Sequence, residues 1–484
     1  MVERHVPALL YGAPMDFRHT TVADLAAQVG ERRLSAREVV AAALDRIDRF
    51  DGELGAFVTV DAEAALEEAA TLDERIAAGE DVGPLAGVPL AVKDLEDAAG
   101  HVTSKGSVAF AGTAPAATDS PLVERLRAAG CVVVGKTNTP ELGWKADTVN
   151  EAFGATRNPW SLERSPGGSS GGSAAALAAG LVPLATGSDG GGSIRIPAAV
   201  TGLTGFKPSA GRVPSGGTSP PDWPLLSTRG PMTARARDLA LALDVVVGPE
   251  PTDLSSLPLP DASWSRSLAD LHPPRKVAWS PSLGYAGADR EVLAVCEAAV
   301  GRLEALGTEV VLVDEVFPVD PVDDWLALVG VYCLRVLEQA GGDEELWATL
   351  DPGLAALMAW ARSSVPATRF VEAADACHRL NLALVDLFHR APLLLTPTVA
   401  GQTPRVGEPG TIDGTHDVNW VRYTYPFNMT RSPAGTVCAG FTPDGMPVGL
   451  QIVGPQHGDV VVLRALTLLE DVLGLDAVAP FGAG

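Results

Sequence analysis

The 484-residue sequence is short of positive charge, cysteine and lysine, and each shortage excludes something. Its 36 Lys and Arg face 60 Asp and Glu, a net charge of −24. Nucleic acids and anionic membrane surfaces favour a positive field, so neither is an expected partner. Only five cysteines occur (Cys131, Cys296, Cys333, Cys377 and Cys438), far apart and with no CxxC pair. That excludes a disulfide framework and fits buried thiols in a reducing compartment, hence a cytoplasmic location. No stretch reaches the roughly 18 apolar residues that span a bilayer. Met1 to Met15 lacks the basic start and apolar run of a signal peptide. The eight histidines are scattered and form no HExxH, so no metal site is read, and nothing calls for an organic cofactor. Only six of the 36 basic residues are lysines: Lys93, Lys105, Lys136, Lys145, Lys207 and Lys276. A lysine in an unusual place therefore stands out.

What is present is the composition of a large globular protein, 46% hydrophobic and 20% charged. Residues 20–80 read as helices: Thr21 to Asp24 and Ser35 to Glu38 both match the capping box, followed by apolar residues at helical spacing. The period then changes. Strands are predicted at 88–92, 131–134, 276–279, 309–313, 392–395 and 448–453. Helices are predicted at 121–129 and 290–306, and residues 321–390 read as mostly helical. Pro- and Gly-rich stretches at 208–224, 249–262 and 399–415 read as loops. Helix alternating with apolar strand predicts an α/β sheet covered on both faces.

Residues 167–193 hold nine of the 51 glycines, where the chain average would put about three. A flexible linker would be Gly/Ser throughout. Here Ala174 to Ala179 favours a helix and Val182 to Ala185 is apolar, so two glycine-serine loops bracket a helix and a strand. Glycine clusters let backbone amides approach a ligand, and serine among such amides suggests a nucleophile beside an oxyanion hole.

Two literal motif matches fail on physical grounds. Gly130 to Thr137 fits the P-loop string, but its spacer residues form the strand itself, which holds the two glycines about 16 Å apart. Gly167 to Gly171 fits GxSxG, but no apolar strand precedes it, and His378, His389, His416 and His457 sit in no recognisable setting. Without a histidine, the candidate base is Lys93, which directly ends the apolar run 88–92. To be half neutral near pH 7.4, a lysine must be destabilised as a cation by about 4 kcal/mol, which burial can supply. The alternative is a salt bridge from Lys93 to Asp94 or another carboxylate.

Taken together, these elements resemble the amidase signature family of Ser–cisSer–Lys hydrolases. The matching strings are GPLAGVPLAVKD (83–94), GKTNTPELG (135–143), GATRNPW (154–160), PGGSSGGSAAALAAGLVPLATGSDGGGSIRIPA (166–198), GLTGFKPSAGRV (202–213) and GMPVGLQIVGPQ (445–456). The resemblance implies one large domain over 1–484, a central mixed, mostly parallel twisted β-sheet with helices on both faces. It places the signature core at 83–240 and a helical insertion at 321–390 that forms part of the substrate pocket. It implies Lys93 as base, Ser169 as the cis-serine after a cis Gly168–Ser169 bond, and Ser193 as nucleophile. Oxyanion amides fall on Gly190, Gly191 and Gly192. Ser170 becomes a structural neighbour capping the helix at 172–179, and Asp189 and Arg195 support the loop. Gly190 stands where relatives carry a bulkier residue, which would leave the loop looser or make room for a larger substrate. Cys438 replaces a common proline and reads as packing.

Within the family, the amidase component of a tRNA-dependent amidotransferase is disfavoured, because its usual SLDQIGP is here Leu226 to Pro231, LSTRGP. The strings are similar to stand-alone bacterial amidases, which implies cleavage of a linear carboxamide, with carbamate, nylon-oligomer or aryl ester hydrolysis as alternatives. Trp144, beside Gly143, aligns with an acyl-pocket position. Loops 96–107 and 214–226 are expected to wall the pocket. The partner is a small amide or carbamate substrate, and a homodimer through the N-terminal helices is left open.

Overall fold

The computed structural model describes residues 15–218, 220–342 and 344–482; the signal-peptide reading of residues 1–14 lies outside them. The strands that carry the fold are β1 (Phe57–Val60), β2 (Pro89–Lys93), β3 (Val132–Thr137), β4 (Leu184–Asp189), β5 (Gly205–Lys207), β6 (Thr228–Thr233), β7 (Lys276–Trp279), β8 (Glu309–Leu312), β9 (Leu394–Pro397), β10 (Ala434–Phe441) and β11 (Pro447–Val453). They form two sheets, β1-β3-β2-β4-β6 and β8-β7-β9-β11-β10-β5. A bridge between Thr204 and Thr233 brings β5 beside β6 and joins them.

The sheet is mixed, as expected. Parallel pairing is confined to two patches: β2 with β3 and β4, and β7 with β8 and β9. The other five pairings are antiparallel, so parallel strands do not predominate. One reason is local. The 442–446 turn, closed by Thr442 N–H on Met446 C=O at 2.9 Å, makes β10 and β11 a hairpin, and a hairpin can only be antiparallel.

The helices are α1 (Val22–Gly30), α2 (Ala36–Leu54), α3 (Ala62–Ala77), α4 (Pro121–Ala128), α5 (Gly171–Ala178), α6 (Arg195–Thr201), α7 (Ala236–Val246), α8 (Arg290–Ala305), α9 (Val322–Gln339), α10 (Pro352–Ser364), α11 (Ala367–Phe388) and α12 (Asp459–Leu473). Ser35 and Glu38 close the capping box reciprocally at the start of α2. At α1 the Thr21 hydroxyl accepts from Asp24 N–H. None of the described helices is long and apolar enough to cross a membrane.

Strand β2 shows why its sequence reads as an unbroken apolar run. Leu90 and Val92 enter a core cluster with α4 and α7, while Ala91 enters another with α2, α3 and α5. Both faces are covered, so no position alternates to polar. The last residue of that strand is Lys93. Helix α5 is buried on all sides. It packs so closely that a Cβ on Gly172 would lie 2.4 Å from the Asn138 nitrogen. A third apolar cluster holds α9, α10 and α11 together.

Candidate active site

Two turns meet beside the end of β2. One runs from 166 into α5, the other from Asp189 at the end of β4 into α6. Ser170 N–H donates to Ser193 C=O at 3.1 Å, which ties the turns together. The Gly168–Ser169 peptide bond is cis, as the family resemblance implies.

Lys93 is fully buried. Its Nζ lies 2.8 Å from Ser169 Oγ and 3.0 Å from Ser188 Oγ. Burial pushes its pKa down from 10.5 to about 7; the carboxylates of Glu96 and Asp189 act upward and Arg229 acts downward. The salt-bridge alternative for Lys93 is not realised. Asp94 pairs instead with buried Lys136 at 3.3 Å. Lys136 also donates to Glu96 C=O and Thr103 Oγ1, so the lysine of the P-loop string ties a loop down. Its string runs through β3, as the spacing argument requires.

Around Ser193 the loop is wrapped on a buried ion pair. Asp189 Oδ1 accepts from Arg195 Nη2 at 2.8 Å, and Oδ2 accepts from Arg195 Nε at 2.9 Å. Arg195 also reaches Thr424 C=O, Gln451 Oε1 and Asn428 Oδ1. Burial alone would raise the Asp189 carboxyl, but Arg195, then Lys207 and Asn428, hold it well below the usual carboxylate range. Removing one partner of such a pair strands a buried charge, so the pair fixes the loop.

The three glycine amides divide. Gly192 N–H donates to Asp189 Oδ1 at 2.8 Å and is therefore committed to the loop's own structure, not to an oxyanion. Among the described residues, the N–H groups of Gly190, Gly191 and Ser193 find no protein acceptor, and Ser193 Oγ has no partner either. Ser170 sits at the N-cap position of α5 without capping it; its hydroxyl exchanges long hydrogen bonds with the Ser188 backbone.

Ser169, Ser188, Gly190 and Ser193 line one cleft of roughly 500 Å³. Its walls are Leu95, Leu142, Gly143, Pro221 and Trp223 on the apolar side, and Glu96, Asp222, Ser215, Ser227 and Arg229 on the polar side. Gly143 leaves space for Ser169, since a Cβ there would lie 3.1 Å from Ser169 Oγ. Loop 214–226 walls the cleft as expected, and of loop 96–107 only Glu96 does.

Two expectations are corrected. Trp144 is not a wall of this cleft: its ring packs on α10, where a Cβ on Gly353 would meet it at 2.5 Å. The helical segment 321–390 lines none of this cleft among the described residues; it braces the loops from behind. Gly190 is also accounted for differently. A Cβ there would lie 2.5 Å from Trp223 Cε3, so the missing side chain is replaced by an indole and creates neither slack nor room.

Sequence reasoning missed Ser188, Glu96, Arg229, Trp223, Trp325 and Asn428. Ser188 stands inside the quoted glycine-serine string and could have been picked out as a second hydroxyl near the base. Asn428 and Trp325 lie far along the chain with no local pattern, and only folding brings them here. Cys438 is buried, its thiol pushed up to about 11 by burial, which suits the packing role.

A family model described as Amidase matches residues 38–463. An acylamidase of Rhodococcus erythropolis is 35% identical over 482 residues, covering 93% of this chain and 94% of that protein. The amidase component of a glutamyl-tRNA(Gln) amidotransferase from Salinispora arenicola is 38% identical over 490 residues, covering 95% of this chain and 98% of its own. The crystal structure of a bacterial aryl acylamidase of the amidase signature family matches with a TM-score of 0.89 at 30% identity, over 98% of this chain and 99% of that one. The chain thus belongs to the amidase signature family and is a hydrolase acting on amide C–N bonds.

Proposed function

We propose that the protein is a stand-alone amidohydrolase that cleaves a linear carboxamide through an acyl-enzyme on Ser193. The reading rests above all on one observation: a fully buried Lys93, its pKa lowered to about 7, lies 2.8 Å from Ser169 Oγ. A neutral Lys93 accepts the Ser169 hydroxyl proton along that contact, and Ser169 takes the proton of Ser193. Ser193 Oγ bonds to the carbonyl carbon, and the oxyanion forms beside the unpaired amides of Gly190, Gly191 and Ser193. As the C–N bond breaks, the amine leaves with a proton returned from Lys93 through Ser169. Water then attacks the acyl ester and passes its proton along the same path, which frees the acid and restores Ser193.

The apolar wall of Leu95, Leu142 and Trp223 suits an aryl or alkyl group on the substrate. An amidotransferase role is not carried over from the 38% relative, because Ser227, Thr228 and Arg229 stand where that branch reads Asp-Gln-Ile. Five free cysteines agree with a cytoplasmic location.

The test is a panel of p-nitroanilides, primary amides, aryl carbamates and linear amide oligomers, with products followed by mass spectrometry. A fluorophosphonate is expected to label Ser193 alone, and Ser193→Ala and Lys93→Ala are expected to fold and not turn over. Full activity in either purified variant would sink the assignment.

A further inference from the structure

Trp325 lies in the first turn of α9, outside the cleft, yet touches the loop at the point that matters. Its Nε1–H donates to Gly190 C=O at 3.0 Å. Its ring covers Gly191 so closely that a Cβ there would sit 2.5 Å from Cζ2. The indole is itself held: it stacks on Tyr425 at 5.4 Å and 26°. The Tyr425 hydroxyl in turn is fixed by Asp320 and by Asn419 Nδ2 at 2.9 Å.

The planarity of the peptide bond gives this contact a consequence. In a trans peptide the C=O and the following N–H point in opposite directions. Gly190–Gly191 is trans, so a carbonyl pulled toward Trp325 turns the Gly191 N–H away from it. The preceding peptide is set in the same manner: Asn428 Nδ2 donates to Asp189 C=O at 2.7 Å, which directs the Gly190 N–H the opposite way. The following peptide is set the other way round. Thr424 Oγ1 donates to Gly191 C=O at 2.6 Å, and Gly192 N–H goes to Asp189. Of the three glycine amides, the two without a protein acceptor are those whose planes are pinned through the carbonyl by a side chain behind the loop.

We propose that Trp325 is a positioning residue for the oxyanion hole, its indole N–H holding the Gly190–Gly191 peptide so that the Gly191 amide is aimed at the developing oxyanion. This rests on the proposed Ser193 chemistry. The helical segment that supplies no wall of the cleft thereby acts on the reaction from behind. Trp223 seals the other side of the loop over Gly190, so two indoles grip a stretch that three consecutive glycines would otherwise leave mobile.

The experiment replaces Trp325 by 3-benzothienylalanine, which keeps the ring and loses the N–H, alongside Trp325→Phe. Removing one oxyanion donor costs about 10²–10³ in kcat, and a misaimed donor a part of that. Both variants are expected to lose roughly tenfold or more in kcat with KM within about twofold, and a transition-state-like boronate should weaken in proportion. A benzothienyl variant with wild-type kcat overturns the proposal. So does a loss in kcat matched by equal weakening of a non-hydrolysed ground-state amide. Failure of the fluorophosphonate to label wild-type Ser193 would instead remove the underlying reading, which separates the two failures.

Discussion

Replacing Lys93 by methionine should raise stability below neutral pH while removing activity. The amine is fully buried and its pKa falls from 10.5 to about 7. The unfolded chain keeps the proton up to about pH 10.5, whereas the folded chain releases it near pH 7. Below pH 7 both states are protonated and the penalty of burying the cation is complete. At about 1.4 kcal/mol per pH unit it amounts to about 5 kcal/mol. Between pH 7 and 10.5 the unfolded state binds more protons, so wild-type stability rises with pH across that window. Methionine has no such dependence. It leaves Ser169 Oγ and Ser188 Oγ without their amine partner, at about 1 kcal/mol each. Lys93→Met should therefore exceed wild type by about 3 kcal/mol at pH 6, and the gap should shrink by about 4 kcal/mol and change sign by pH 10. Urea unfolding followed by tryptophan fluorescence at several pH values gives the difference directly, because other titrations cancel. A gap that stays constant with pH, or a variant already less stable at pH 6, would refute a neutral buried lysine. The wild-type kcat/KM should rise with unit slope to about pH 7 and then level.

Two further outcomes follow from the same site. Glu96 is the largest of the charges that favour the protonated lysine and Arg229 opposes it, so Glu96→Gln should move the acid limb of kcat/KM to lower pH and Arg229→Gln to higher pH. Shifts of the same sign would contradict this arrangement. Gly190→Thr should lower kcat/KM by about tenfold or more, because its Cβ would meet the Trp223 ring at 2.5 Å. Trp223→Ala in the same chain should recover part of the loss, and no recovery would count against a steric cause.

Much of the scaffold is readable locally. The apolar run ending in Lys93, the helix after Gly171 and the strand before Asp189 all lie within two residues of their expected places. Each rests on patterning within a few residues. Strand β6 and hairpin strand β10 escaped notice, since Gly230-Pro231 and Gly435 interrupt the β pattern and only pairing with neighbours holds them extended.

The sequence by itself determined the chemistry-bearing set: a scarce lysine closing a buried strand, and serines set among glycines at family spacing. Those features are local and survive without coordinates. Only the tertiary structure decided which amides are free, because each N–H is set by where its peptide's carbonyl goes. Those carbonyls are taken by Asn428, Trp325 and Thr424, residues 135 to 239 positions away. It also decided that Trp144 packs on a helix, that Trp223 fills the space over Gly190, and that Asp94 serves Lys136 instead of Lys93. Burial lowers the Lys93 pKa only once the sheet is closed on both faces, and no segment of the chain can do that alone.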